Sequence, residues 1–173
     1  MTSIELNIEN QIHTNLYCEA LIDLDLALFY QTKENQTNGV FSLEYTGRKE
    51  NEGCLKQFPY IEYKKDYDLN CPEQIIISSL QDMKSIYICA IDYSSAINGE
   101  ETDFSSLGGR LDFEEDNNKL LHSIPMKSYK TGSIYLFCSI VLKEGRYWLE
   151  EINDVLSLEE AYNNIPGFSE ICN

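Results

Sequence analysis

Apolar and polar positions alternate from the first residues of the chain. Ile4-Glu5-Leu6-Asn7-Ile8 reads as a short amphipathic strand. The pattern runs furthest in Ala20 to Tyr30, A-L-I-D-L-D-L-A-L-F-Y. As a strand, this stretch puts Ala20, Ile22, Leu24, Leu26 and Leu28 on one face, an apolar row suited to a core. Asp23 and Asp25 then share the opposite face, roughly 7 Å apart at two residues' rise. The pattern predicts a core strand that carries two fixed carboxylates.

Downstream, Asn38-Gly39 is a hairpin signal between Leu28-Phe29-Tyr30 and Val40 to Tyr45. Gly47 to Gly53 is charged and loop-like, and Phe58-Pro59-Tyr60-Ile61 suits a loop or a sheet edge. Lys64 to Glu73 is a polar loop dense in oxygen ligands. Ile75 to Ile77 and Ile86 to Ile91 read as strands buried on both faces, the second ending at Asp92. Ser94 to Gly109 is a polar connection interrupted by Phe104 and Leu107. Arg110 to Phe113, Lys119 to Ile124, Ser133 to Lys143 and Arg146 to Leu149 add further strands.

Only the end reads as helix. Ser157-Leu158-Glu159-Glu160 is a capping box, Leu158, Ala161, Tyr162 and Ile165 share one face, and Pro166-Gly167 stops the run. Many short strands, turn signals between them and one terminal helix predict an all-β fold. The expected form is a β-sandwich of two antiparallel or mixed sheets with a short C-terminal helix. No repeat, low-complexity tract or boundary divides residues 1–173, so a single domain is expected.

Charge narrows the partners. The formal net charge is −16, with 29 acidic residues against 13 Lys and Arg. A phosphate-contacting nucleic-acid binder needs a basic surface, and no Lys/Arg cluster supplies one. Docking on an anionic membrane is disfavoured for the same reason, whereas divalent cations and basic partners are attracted. The same charge also serves solubility alone. The N-terminus has no signal-peptide pattern and no apolar run reaches spanning length, so direct membrane insertion is not expected and a cytoplasmic location follows. The 6 cysteines form no C-x-x-C pair, and Cys89 and Cys138 sit in apolar runs as reduced core residues.

Candidate chemistry is acidic. Asp23 and Asp25, with Asp66-x-Asp68-x-Asn70-x-x-Glu73, offer the hard oxygens that calcium takes in sixes to eights. An EF-hand is rejected, because Cys71 holds the glycine position and Ile77 stands where the bidentate glutamate belongs. A cation cage built from strand and loop remains open, and so does a simple solvated acidic face. Neither His13 nor His122 lies in a nucleophile motif, Cys71 is dulled by nearby carboxylates, and no phosphate-cradling glycine loop occurs. No catalytic residue is assigned. A hydrolase working through Asp23 and Asp25 would need a further polar group converging on them.

In order along the chain, D-L-D-L-A-L-F-Y (Asp23 to Tyr30), F-P-Y-I (Phe58 to Ile61), the acidic loop and I-Y-I-C-A-I-D-Y (Ile86 to Tyr93) resemble the TerD-type tellurium-resistance and stress proteins. The similarity is to their TerA-like branch and covers roughly Leu16 to Ile165. The resemblance implies a calcium-binding β-sandwich without enzymatic activity. It also implies a role in bacterial resistance to tellurite and other stresses, alongside other proteins of that system. Carried over by motif, the implied ligands are Asp23, Asp25, Asp66, Asp68 and Glu73, with Asp92 a weaker candidate.

The chain departs from the family pattern in the loop. The family reads L-D-G-D where this chain has Tyr63-Lys64-Lys65-Asp66, so Lys64 stands in place of an acidic ligand and Lys65 in place of the glycine. The alternative expectation is therefore a metal-free interaction domain of the same fold, with the Lys64 ammonium replacing the cation.

Overall fold

A computed structural model describes residues 2–7, 9–42, 51–64, 73–116 and 118–172. In chain order the strands are β1 (Ser3–Leu6), β2 (Ile12–Tyr17), β3 (Asp25–Thr32), β4 (Thr37–Phe41), β5 (Gly53–Cys54), β6 (Ile61–Lys64) and β7 (Glu73–Ile77). They continue as β8 (Met83–Ile91), β9 (Thr102–Asp103), β10 (Arg110–Glu115), β11 (Lys119–Pro125), β12 (Thr131–Gly132), β13 (Ile134–Lys143) and β14 (Arg146–Leu156). The helices are α1 (Tyr93–Ile97) and α2 (Leu158–Asn164), with single 3₁₀ turns at Phe104–Ser106 and Phe168–Cys172.

Two six-stranded sheets face each other, in the orders β1-β14-β13-β8-β3-β4 and β11-β10-β2-β7-β6-β5. Among the described residues every strand pairing is antiparallel, and β9 with β12 forms a separate two-stranded ribbon. The fold is a β-sandwich with a short C-terminal helix, as the strand-rich pattern predicts. The inner core takes alternate residues from both sheets: Leu24, Leu26 and Leu28 from β3 and its approach, Ile86 and Ile88 from β8, and Ile75 and Ile77 from β7.

The first sheet is buried on its outer face as well. Ala27, Phe29, Cys89, Ile91, Ile134 and Leu136 meet Ala161, Ile165, Phe168 and Ile171 of the C-terminal segment in a second apolar cluster. This accounts for the near-continuous apolar runs of β3, β8 and β13, since a strand covered on both faces has no wet side to mark with polar residues. The capping box forms: Glu160 N donates to Ser157 Oγ (3.1 Å), and Ser157 N donates to Glu160 Oε2 (2.8 Å). Of the expected helix face, Ala161 and Ile165 are buried, whereas Leu158 and Tyr162 are exposed.

Several expectations are corrected. β3 starts at Asp25, so the segment before it is not strand. Ala20 only borders the core, and Ile22 is exposed. Asp25 does not stand on a wet face: it is buried, at 6% exposure. Asn38-Gly39 is not a turn. It lies inside β4, opposite Tyr30 and Phe29, and the chain reverses at residues 33–36, where Asn35 takes φ 64°.

Gly39 is needed in that strand for space. A Cβ there would fall 2.6 Å from the Phe29 ring. Residues 43–45, placed by the pattern in the second hairpin strand, lie outside the described residues. β2 escapes the pattern because Thr14 interrupts its inward row between Ile12 and Leu16; its hydroxyl donates to Ile75 O at 2.8 Å. α1 starts at Tyr93 and runs into the segment from Ser94 read as a polar connection.

Candidate metal-binding site

Carboxylate oxygens of Asp23, Asp25 and Glu73 lie within 4.8 Å of one another. Each arrives from a different local setting. Asp23 is exposed on the approach to β3, Asp25 is buried as the first residue of β3, and Glu73 opens β7 in the opposite sheet. Strand alternation aims Glu73 inward, in line with the core residues Ile75 and Ile77.

Glu73 also joins the two sheets directly. β4 ends at Phe41 opposite Ala27, one residue short of Leu26, and the Leu26 N–H donates to Glu73 Oε2 at 2.5 Å. Burial pushes the Glu73 carboxyl up to about 8. The Leu26 N–H opposes that rise, the charges on Asp25 and Asp23 add to it, and the Tyr63 hydroxyl opposes it. Burial and then the Glu73 charge push the Tyr63 hydroxyl up as well, so it stays a proton donor beside the carboxylate.

Three carboxylates this close repel one another, and either a shared proton or a cation relieves the repulsion. The donors are all hard oxygens, the chemistry of calcium and magnesium rather than of zinc or copper. Oxygens bound to one calcium ion at about 2.4 Å are at most about 4.8 Å apart, so the spacing suits a shared ion. Asp66 and Asp68 lie outside the described residues; in the chain, residues 65–72 join Lys64 directly to Glu73.

Lys64 is not placed among these carboxylates. It is exposed at the end of β6, opposite Gln74, whereas Tyr63 beside it and Glu73 beside Gln74 point inward. Among the described residues, no ion pair joins it to Asp23 or Glu73. Asp92 has another task. It is buried, caps α1 by accepting from Ser95 N (3.2 Å) and Ser95 Oγ (2.9 Å), and accepts from Thr102 Oγ1 at 2.8 Å.

Sequence reasoning missed a second polar network. His122 Nε2 on β11 meets Glu151 Oε1 on β14 at 2.5 Å, Asn153 Nδ2 donates to Glu151 Oε2, and the Tyr135 hydroxyl donates to Asn153 Oδ1. The network ties the β11 edge of one sheet to β14 of the other. Its members are scattered in sequence, so no local motif marks them. A cavity of about 420 Å³ lies elsewhere, lined by Glu5, Leu6, Asn7, Gly145, Arg146 and Tyr147 at the opposite end of the first sheet.

No known family model matches the chain, and no curated protein is similar to it. Among solved structures it is similar to the one titled "Crystal structure of unknown function protein SAV2460". The TM-score is 0.53 at 8% identity, over 87% of this chain and 94% of that one. The similarity establishes the sandwich architecture alone.

Proposed function

We propose that the chain is a non-enzymatic, TerD-like calcium-binding module of a bacterial tellurite or stress-resistance system. On this reading it works in the cytoplasm with other proteins of that system. The observation that carries the reading is the convergence of Asp23, Asp25 and Glu73 within 4.8 Å across the seam of the two sheets. The motif order quoted above supports the family reading, and the acidic net charge of −16 suits cation capture. Asp23 and Asp25 supply ligands from one strand start and Glu73 supplies one from the facing sheet. Asp66 and Asp68 would complete the oxygen set from the connecting segment.

Thermal melts in millimolar calcium against chelator test it. An ion that binds only the folded state stabilises it by about 2.7 kcal/mol at a hundredfold excess over Kd. The expected result is an upward shift in midpoint, most of it lost in Asp25→Asn. Identical melts in calcium and chelator would reject the calcium reading.

A further inference from the structure

Leu21, Ile22, Ile97 and Tyr129 are exposed apolar side chains on the loops at one end of the sandwich. The register fixes that end: Asp25 opens β3 opposite Ile91 at the close of β8, and Ile91 lies opposite Ile134 at the start of β13. Leu21 and Ile22 precede β3, Ile97 closes the helix that follows β8, and Tyr129 lies on the approach to β13. At 108% and 90% exposure, Leu21 and Tyr129 are left to solvent.

The loops that carry these tips are braced to one another. The Ala20 N–H donates to Leu107 O at 3.1 Å, and Glu19 lies across Gly108, where an added Cβ would fall 2.7 Å from Glu19 Oε2. These contacts join the loop before β3 to the one before β10. Thr131 Oγ1 donates to Glu101 Oε2 at 2.6 Å, and β9 pairs with β12, which joins the loop after β8 to the one before β13. Apolar tips on braced loops lose less conformational freedom when a partner covers them.

The charges at this end are unbalanced. Glu19, Asp23, Glu100, Glu101 and Asp103 are exposed around the tips, and among the described residues none of them forms a salt bridge. At the far end of the first sheet, by contrast, Arg146 meets Glu5 at 3.3 Å and Lys143 pairs with Glu150. The cations nearest the tips are largely engaged: Asp154 holds Lys130 at 2.7 Å, and Asp112 holds Arg110 at 3.2 Å. This balance selects the occupant. Anionic lipid, nucleic acid and a second copy of the chain, at −16, are all repelled by the open carboxylates. A purely apolar surface would desolvate those carboxylates without pairing them. A segment with Lys or Arg between apolar side chains meets both demands, since its cations pair with the carboxylates while its apolar residues cover the tips.

We propose that this loop end is the docking face for a cationic segment of a partner protein, one that alternates basic and apolar residues. Leu21, Ile22, Ile97 and Tyr129 are its apolar anchors, and the surrounding carboxylates set its charge. The attraction needs no metal ion, so it is independent of the calcium reading of the Asp23–Asp25–Glu73 cluster.

Fluorescence anisotropy of the full chain in chelator tests it. The probe is a labelled peptide of alternating Lys and Leu, and the control is a peptide of alternating Glu and Leu of equal length. The Lys peptide should bind and the Glu peptide should not. Affinity should fall as salt rises from about 0.05 M to about 0.15 M, because screening shortens the reach of the charges. Leu21→Ser with Ile22→Ser should lose about tenfold or more in affinity while the melting midpoint holds. Glu19→Gln with Glu100→Gln should also weaken binding. Glu34→Gln with Glu144→Gln, which removes as much charge from exposed positions at the far end, should not. Equal losses from the two charge pairs would overturn the proposal, since the peptide would then be answering net charge alone. Unchanged affinity in the Leu21 and Ile22 double variant, or equal binding of the Glu peptide, would overturn it as well.

Discussion

Glu73, on one sheet, accepts the backbone N–H of Leu26, on the other, at 2.5 Å. The same carboxylate lies within 4.8 Å of Asp23 and Asp25. One side chain thus fastens the two halves of the sandwich and completes the acidic cluster, so whatever neutralises the cluster also bears on the fold.

That coupling gives a pH dependence with a definite sign. The Glu73 carboxyl is pushed up to about 8 from an ordinary value of 4.5. Between those values the native state holds a proton that the unfolded chain has lost, so stability falls as pH rises through the window. The contribution is on the order of a few kcal/mol, at about 1.4 kcal/mol per unit of pKa difference. In chelator, the melting midpoint should decline from pH 5 to pH 8, and Glu73→Gln should flatten the decline. Calcium competes with that proton, so its stabilisation should be larger above pH 8 than at pH 6. A wild-type and Glu73→Gln pair with parallel pH profiles would refute the assignment.

Lys64 separates the calcium reading from its metal-free rival. Its side chain lies on the outer face with Gln74, and the strand alternation that turns Glu73 inward turns Lys64 away. Lys64→Ala should therefore change stability by no more than about 0.5 kcal/mol, the range of a surface substitution. It should also leave the calcium shift intact. A loss of several degrees in chelator, restored by calcium, would show that the ammonium does serve the cluster.

Asp92 tests whether an acidic residue near the site is a ligand or a cap. Its carboxylate accepts from Ser95 N, Ser95 Oγ and Thr102 Oγ1 while 2% exposed. Asp92→Ala removes a helix N-cap and strands buried partners, at a cost of about 1–3 kcal/mol. Denaturant unfolding should show that loss, with the calcium-dependent shift unchanged. A calcium shift that disappears in Asp92→Ala would make it a ligand after all.

The strand content and the inner core of the sandwich were legible from alternation, because Leu24, Leu26 and Leu28 face a core that accepts only apolar side chains. The second core was not. Ala27 and Phe29 read as part of one unbroken apolar run, and nothing local indicates that residues more than a hundred positions later cover them. Gly39 misled for a related reason. Asn-Gly is a turn signal only when the chain needs a left-handed residue, whereas here the glycine makes room for the Phe29 ring.

The Asp23 and Asp25 pair was visible in D-L-D, and Glu73 in the run of oxygen ligands Asp66-x-Asp68-x-Asn70-x-x-Glu73. What spacing could not show is that Glu73 reaches them from the other sheet while Lys64 turns outward. That depends on the relative position of two sheets, which no single stretch encodes.

The C-terminal cover makes the last prediction. Phe168 is fully buried, with its ring 5.0 Å from that of Phe29, and it sits in the cluster that closes the outer face of β3, β8 and β13. Phe168→Ala should cost about 3–5 kcal/mol, the transfer of a buried aromatic plus the cavity it leaves. The Asp25 carboxylate meets Glu73 of the opposite sheet rather than this outer cluster, so the calcium-dependent melt shift should persist in the variant. Ile75→Val, in the inner core, should cost only about 0.5–1.5 kcal/mol and leave that shift alone. Denaturant unfolding of both variants, repeated with and without calcium, checks the claim. A calcium shift lost in Phe168→Ala alone would show that the C-terminal segment supports the site as well as the sandwich.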